Sequence, residues 1–247
     1  MLILYKKIGE TPLECLERLR QENPKYENVK MTYAGRLDPL AEGELLVLLG
    51  EECQNKDKYL GLDKEYEFEV LLGFQTDTYD VLGMPNLKDG CSKEYDVARH
   101  QEKIERFLKS IKGKQMQKYP PFSSKTVGGK PLFELARGEE LDKDNLPERE
   151  IEIYEADFVR SYWLMGRDLK AEIFKKILLV QGDFRQEEIL PEWEKLLKNR
   201  LPERFLISRI KIKCSGGTYV RGLVHSLGER IDYPTVTFWI KRTKIFV

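Results

Sequence analysis

The chain has 247 residues, enough for one large domain or two small ones with a real core. Its 42 lysines and arginines balance 42 aspartates and glutamates, so net charge argues mildly against a polyanionic partner and the distribution of charge has to decide. Four scattered cysteines (Cys15, Cys53, Cys91, Cys214) with no C-x-x-C pair, and two histidines (His100, His225), argue against a disulfide scaffold, a zinc ribbon, a His-rich metal site and a Ser-His-Asp triad. No apolar run reaches membrane-spanning length, and "MLILYKK" places its charges after a short apolar stretch, the reverse of a secretory signal; both point to a reducing, cytoplasmic setting.

"MLILY" predicts a short strand, followed by a turn at Gly9 and a helix capped by Thr11 with Pro12 at its first position; Leu13, Leu16 and Leu19 recur at helical spacing. "LLVLLG" at 45–50 reads as a buried strand. At 65–73 Tyr66, Phe68 and Val70 alternate with Glu65, Glu67 and Glu69, the pattern of a half-buried strand, and "QTDTYDVLGMP" follows as a polar turn closed by Gly83 and Pro85. Residues 97–111 carry Val97, Ile104, Phe107, Leu108 and Ile111 on one face and predict an amphipathic helix. A loop rich in Gly, Pro, Ser and Lys then runs to a short helix from about Pro131. "EREIEIYEADFVRSYW", part of "KAEIFKKILLVQGDF" and "RFLISRIKIKC" read as strands, with a helical piece in "RQEEILPEWEKLLKNRLP". Gly216 and Gly217 break the last of these strands before Tyr219 and Arg221, and "VRGLVHSLGERI" resumes as a helix. Long strands interleaved irregularly with helices predict an α/β (α+β) fold with a mixed sheet and no regular βαβ repeat.

Charge is segregated along the chain. Arg106 to Phe133 contains seven cations and no acid, Glu134 to Asp157 is dominated by acids, and the stretch from Phe205 turns basic again. Such blocks are compatible with solvated faces and equally with a basic groove for phosphates.

The segment "YAGRLDPLAEG" mounts Asp38 between Leu37 and Pro39 and brackets it with Gly35 and Gly43. Taken alone, Leu-Asp-Pro fits a turn aspartate. At its full extent, "YAGRLDPLAEGELLVLLG", the segment resembles the G-T-L-D-P-L-A-x-G motif of the TruB family of tRNA pseudouridine synthases. Three further segments match that family in the same order: "DKEYEFEVLLGFQTDTYDVLG", "YPPFSSKTVGGKPLFELARGE" and "IKCSGGTYVRGLVHSLGERI". The resemblance spans residues 33 to 230. It implies a pseudouridine synthase fold, with a largely antiparallel mixed sheet flanked by helices and loops. It further implies one catalytic domain over 1–247 with a variable segment at about 139–202, and activity without metal or organic cofactor.

By the same resemblance Asp38 is the nucleophile that opens the N1–C1′ bond of a uridine in the T arm of tRNA, position 55 by family analogy. It adds either to the ribose or to the ring. Arg221 is the cation beside it, and Tyr66 packs against the target base and takes part in removing the C5 proton. Tyr219, on the same strand face as Arg221 by alternation, and Ile240 line the base pocket. A flat aromatic partner offsets the stacking that an everted uracil loses. Local sequence alone leaves Tyr66 and Ile240 equally readable as core residues and Arg221 as a surface ion pair. Thr76, Asp77 and Thr78 fit the family's T-D-T turn and read mainly as scaffold, while the lysine-rich segment from Lys112 to Lys130 would contact phosphates, with Lys125 at the family lysine.

Departures from the family pattern are specific. Tyr33 stands where the family carries a histidine, and an aromatic there can still stack on a nucleotide. Arg36 replaces the usual threonine and adds a cation able to reach a phosphate. His225 falls at a variable place and is expected to have no role. The sequence ends at Val247 after "WIKRTKIFV", from which no C-terminal PUA-type domain is expected; a monomer without membrane attachment is expected as well. Two rivals stand beside this reading: a non-catalytic RNA-binding or tRNA-folding protein on the same scaffold, and a hydrolase using Asp38. The second would normally need a paired carboxylate.

Overall fold

The alternating segments become the strands of one large sheet. The computed structural model describes residues 1–86, 96–142 and 145–247, so Cys91 lies outside the described residues. The strands are β1 (Leu2–Lys6), β2 (Met31–Ala34), β3 (Ala41–Leu49), β4 (Lys64–Leu72), β5 (Gln75–Thr76), β6 (Pro85–Asn86), β7 (Gly113–Lys118), β8 (Thr126–Val127), β9 (Lys130–Pro131), β10 (Glu148–Met165), β11 (Arg204–Cys214) and β12 (Thr235–Ile245). The helices are α1 (Pro12–Glu22), α2 (Lys56–Leu60), α3 (Val97–Ser110), α4 (Leu132–Arg137), α5 (Gly166–Leu179), α6 (Gln186–Leu197) and α7 (Val220–Ile231). The main sheet runs β1-β3-β12-β4-β11-β10-β7, with β2 added on β3; β12 and β3 are parallel and the other pairs antiparallel. The mixed, largely antiparallel sheet expected from the sequence is therefore what forms.

Both faces of the sheet are covered, which is why its central strands are buried on both sides. Tyr66, Phe68, Ile210 and Ile212 pack with Ile104 and Phe107 of α3 and Val224 and Leu227 of α7. On the opposite face Leu71, Phe205, Ile207 and Val236 meet Ile173 and Ile177 of α5 and Trp193 of α6. Each of these apolar side chains stabilises the fold by about 1.5–3 kcal/mol on full burial. The glutamates of β4 form a polar ladder across the strands: Arg209 donates to Glu69 Oε1 at 2.7 Å, and Lys211 pairs with Glu65 at 3.0 Å.

Several local expectations hold and others fail for identifiable reasons. Thr11 caps α1 in a reciprocal capping box with Glu14, and Pro12 opens the helix. Leu16 and Leu19 are buried, Leu16 against Leu45 and Val47 of β3, whereas Leu13 is 60% exposed and lies off the buried stripe. "KAEIFKKILL" is the helix α5, not a strand: Leu169, Ile173 and Ile177 recur every four residues and are fully buried, a helical period that the density of Ile and Leu obscured. The lysine-rich stretch is not one loop. Its first part is β7, paired with β10 at the sheet edge, and its second contains the β8–β9 hairpin. Lys114 and Lys130 there pair with Glu150 and Glu140 at 3.6 and 3.3 Å. Tyr219 is not on a strand: β11 ends at Cys214, and Tyr219 is the N-cap residue of α7.

Cys15, Cys53 and Cys214 are free thiols. Among the described residues no helix is long and apolar enough to cross a membrane.

Candidate active site

Asp38 lies in the short connection between β2 and β3, and that connection is fixed from every side. Leu37 and Leu40 are buried in the two different apolar clusters on opposite faces of the sheet. Gly35 (φ +78°) presents its carbonyl to Arg242 Nη2 at 3.1 Å. Gly43 (φ +113°) runs so close to β12 that a Cβ on it would come within 2.1 Å of the Arg242 carbonyl oxygen. The fully buried Lys6 ammonium donates to the carbonyls of Pro39 at 3.2 Å and Ala41 at 2.5 Å, immediately after the aspartate. Burial lowers that ammonium to about 8 even though Asp38 and Glu10 favour its charge. The rigid mount suggested by the two glycines is thus assembled from β1, β3 and β12 together.

The mount presents Asp38, whose side chain is 31% exposed, to Arg221 at 4%. Arg221 Nε donates to Asp38 Oδ2 at 2.8 Å, Nη1 donates to the Thr78 carbonyl, and Nη2 to the Phe122 carbonyl at 3.3 Å. Burial alone would lower the guanidinium, but the carboxylates of Asp38 and Asp80 outweigh it and hold the net pKa above its ordinary value. Arg221 is in the first turn of α7, where the glycine break lets the chain leave β11 and enter the helix.

Asp80 was not singled out by the sequence. Its Oδ2 is 3.5 Å from Arg221 Nε, its Oδ1 accepts from Thr78 Oγ1 at 2.8 Å, and Thr76 Oγ1 donates to its carbonyl at 2.6 Å. Asp77 holds Arg185 in a bidentate pair at 2.7 and 3.2 Å. The T-D-T turn is thus scaffold, as expected, and it also carries a second carboxylate and the Thr78 carbonyl onto Arg221. Burial pushes the Asp80 carboxyl up to about 6 against the opposing pull of Arg221. Between the ordinary value of 3.8 and about 6 the folded protein therefore holds more proton at this group than the unfolded chain does, so its contribution to stability falls as pH rises. We expect the unfolding midpoint of the wild type to drop relative to Asp80→Asn across that window in urea titrations. Parallel pH curves for the two proteins would contradict the account.

A cavity of about 500 Å³ opens over the pair, lined among others by Asp38, Arg36, Tyr66, Tyr219, Arg221 and Ile240. Small-molecule sites span about 300–1,000 Å³. Tyr66 sits in β4 opposite Arg242 of β12 and Ile212 of β11. Burial raises the phenols of Tyr66 and Tyr219, the latter with help from Asp38, so both are neutral hydrogen-bond donors at neutral pH. Gln117 clamps Tyr219, its side-chain amide accepting from the Tyr219 N–H and donating to the Tyr219 carbonyl at 2.9 Å each.

Six of the eight residues expected at the site are thus brought to one cavity. Tyr33 and Lys125 are not among its lining residues. Tyr33 reaches it through Arg36, whose Nη2 donates to the phenol at 3.0 Å, and Lys125 lies over the Tyr119 ring at 5.5 Å on the β8–β9 hairpin. His225 stacks on Tyr79 with ring centres 3.8 Å apart.

Residues 23–172 match the N-terminal domain of the TruB family pseudouridylate synthases. Relatives named tRNA pseudouridine synthase B include one from Lactobacillus acidophilus, 28% identical over 98% of this chain and 67% of its own length. Another, from Geobacillus thermodenitrificans, is 30% identical over 95% of this chain and 63% of the relative. Among solved structures, a Cbf5-Nop10-Gar1 complex contains a chain with the same fold, TM-score 0.55 at 16% identity, covering 98% of this chain and 48% of that one. The chain therefore spans about two thirds of these curated relatives and about half of the solved chain. It belongs to the TruB family of pseudouridylate synthases.

Proposed function

We propose that the protein isomerises a uridine of the tRNA T arm, position 55 by family analogy, to pseudouridine. The observation that carries this is the Asp38–Arg221 pair at 2.8 Å on the wall of a cavity that also holds Tyr66, Tyr219 and Ile240. Relatives named as tRNA pseudouridine synthases along nearly the whole chain support tRNA as the substrate.

The chemistry asks for few parts. The N1–C1′ bond breaks as Asp38 adds to the substrate, the uracil turns, C5 bonds to C1′ in place of N1, and the bond to Asp38 breaks again to return the free carboxylate. The C5 proton leaves to solvent and N1 gains one, so the product is an isomer. A base inside a folded arm is out of reach, so the uridine must be everted, and the flat Tyr66 ring with Ile240 offers the face on which an extruded uracil rests. Because the Tyr66 phenol is held neutral, its part in removing the C5 proton is that of a relay, passing its own proton on as it takes the new one. Arg221 supplies the counter-charge that keeps the Asp38 carboxylate in place while water is displaced by substrate.

Purified protein is expected to release tritium from tRNA labelled at C5 of uridine, one equivalent per site. Carbodiimide mapping of tRNA from cells lacking the gene should show the T-arm signal absent. Release of no tritium, with the T-arm signal intact in those cells, would dismiss the proposal in favour of a non-catalytic RNA-binding protein.

A further inference from the structure

Six arginines line the cavity, and five have visible partners. Arg36 donates to Tyr33, Arg137 pairs with Asp183, Arg185 with Asp77, Arg221 with Asp38, and Arg242 donates to the carbonyls of Glu44 and Gly35. Arg149 is the sixth. Its Nε is buried without a hydrogen-bond partner, and no carboxylate among the described residues lies within ion-pair distance of its guanidinium.

The placement of this side chain is built in. Arg149 sits on β10 opposite Gln117, the residue that clamps both backbone groups of Tyr219. Its guanidinium crosses Gly217 so closely that a Cβ there would meet Nη1 at 1.9 Å and Cζ at 2.1 Å. Gly217 therefore serves two ends: its φ of +85° turns the chain from β11 into α7, and its missing side chain leaves room for the arginine. The N-terminus of α7, which has no side-chain cap, adds a positive dipole end beside it. Arg149 is close enough to Lys64 and Tyr219 to bias both toward their less positive or more negative forms.

A guanidinium whose Nε is desolvated and unpartnered calls for an anion. Base edges are neutral. The forked donors of arginine match phosphate oxygens, and a polynucleotide whose uridine enters the cavity must bring its own phosphodiester to the rim. We infer that Arg149 binds a non-bridging oxygen of a phosphodiester adjoining the everted uridine, a contact made as the base enters. This rests on RNA being the substrate.

The test is RNA binding to a T-arm stem-loop at several salt concentrations, with wild type, Arg149→Met and Arg149→Lys, checked for native circular dichroism. Losing one phosphate contact lowers the slope of log affinity against log salt by roughly 0.7–0.9. Arg149→Met should show that reduced slope with about tenfold weaker binding, equal to loss of one charged hydrogen bond. Arg149→Lys should keep the wild-type slope. A single methylphosphonate on one side of the target uridine should cost wild type a similar factor and cost Arg149→Met almost nothing further. An unchanged slope in Arg149→Met, or a loss in affinity that methylphosphonate and substitution add independently, overturns the assignment while tritium release by wild type leaves the isomerase reading intact. If the variants fail to fold, methylphosphonate scanning of wild type decides alone: no sensitive linkage beside the uridine means no such contact.

Discussion

Asp38→Asn is expected to lower isomerisation by at least about 10³-fold, the scale on which removal of a covalent nucleophile is felt, while RNA affinity changes little. Asparagine keeps the shape of the side chain, and its amide oxygen can still accept from Arg221 Nε, now 2.8 Å from Asp38 Oδ2. The mount made by Lys6, Gly35 and Gly43 acts on backbone and should survive the change. What vanishes is the negative charge and the nucleophilic oxygen pair. That loss has a second reading in the same protein. Asp38 raises the Asp80 carboxyl, so its neutralisation must lower it from about 6, and the pH window over which Asp80 costs stability must narrow. Tritium release separates full activity from none. Urea midpoints between pH 4 and 6.5 report the electrostatic coupling. Full activity in the variant would remove Asp38 from the chemistry, and an unshifted pH window would remove it from the network.

Side-chain types and their periodicity were legible in the sequence; the backbone groups they meet were not. Alternation at 65–73 placed Tyr66 and Phe68 on one face of β4, and they do share one apolar cluster. The ordered motifs drew attention to Asp38, Tyr66, Tyr219 and Arg221, and "FWIKR" to Ile240, which the fold gathers from positions as far apart as 38 and 240. Motif order cannot say which backbone carbonyls those side chains will meet. The Thr78 and Phe122 carbonyls on Arg221 carry no residue-type signal, whereas Asp80 did carry one, two residues past Thr78 in the matched segment, but reads there only as part of a polar turn. A usable signal did exist in strand phase. Lys6 falls in step with Leu2 and Leu4, and Lys64 with Tyr66 and Phe68. A cation in the apolar phase of a strand must be buried and satisfied, and both are: Lys6 by the carbonyls of Pro39 and Ala41 just after Asp38, Lys64 by those of Leu60 and Leu62. Arg149 offered no such signal, because one arginine in a charged strand looks solvated until Gly217 is seen beneath it.

Arg221→Met is expected to destabilise the protein by roughly 3 kcal/mol and to abolish activity, because it removes the shared partner of two carboxylates and two carbonyls. The partners do not lose equally. Asp38 is partly open to water and can be rehydrated, whereas Asp80 is almost closed off, so most of the cost falls on Asp80. Without the guanidinium its carboxyl must rise further above 6, and the variant should take up a proton near neutrality to avoid a buried unpaired charge. Its instability should therefore shrink at pH 5 and grow at pH 8, since protonation of Asp80 favours the folded state. Adding Asp80→Asn should recover part of the lost stability at pH 8 without recovering activity, a non-additive outcome that separates charge burial from catalysis. Arg221→Lys keeps the charge but not the fork, and one ammonium cannot serve Asp38, Thr78 and Phe122 together, so it should restore stability more than turnover. Urea midpoints at both pH values, with tritium release alongside, measure each arm; a variant as stable as wild type at pH 8 would mean that Arg221 carries no structural charge at all.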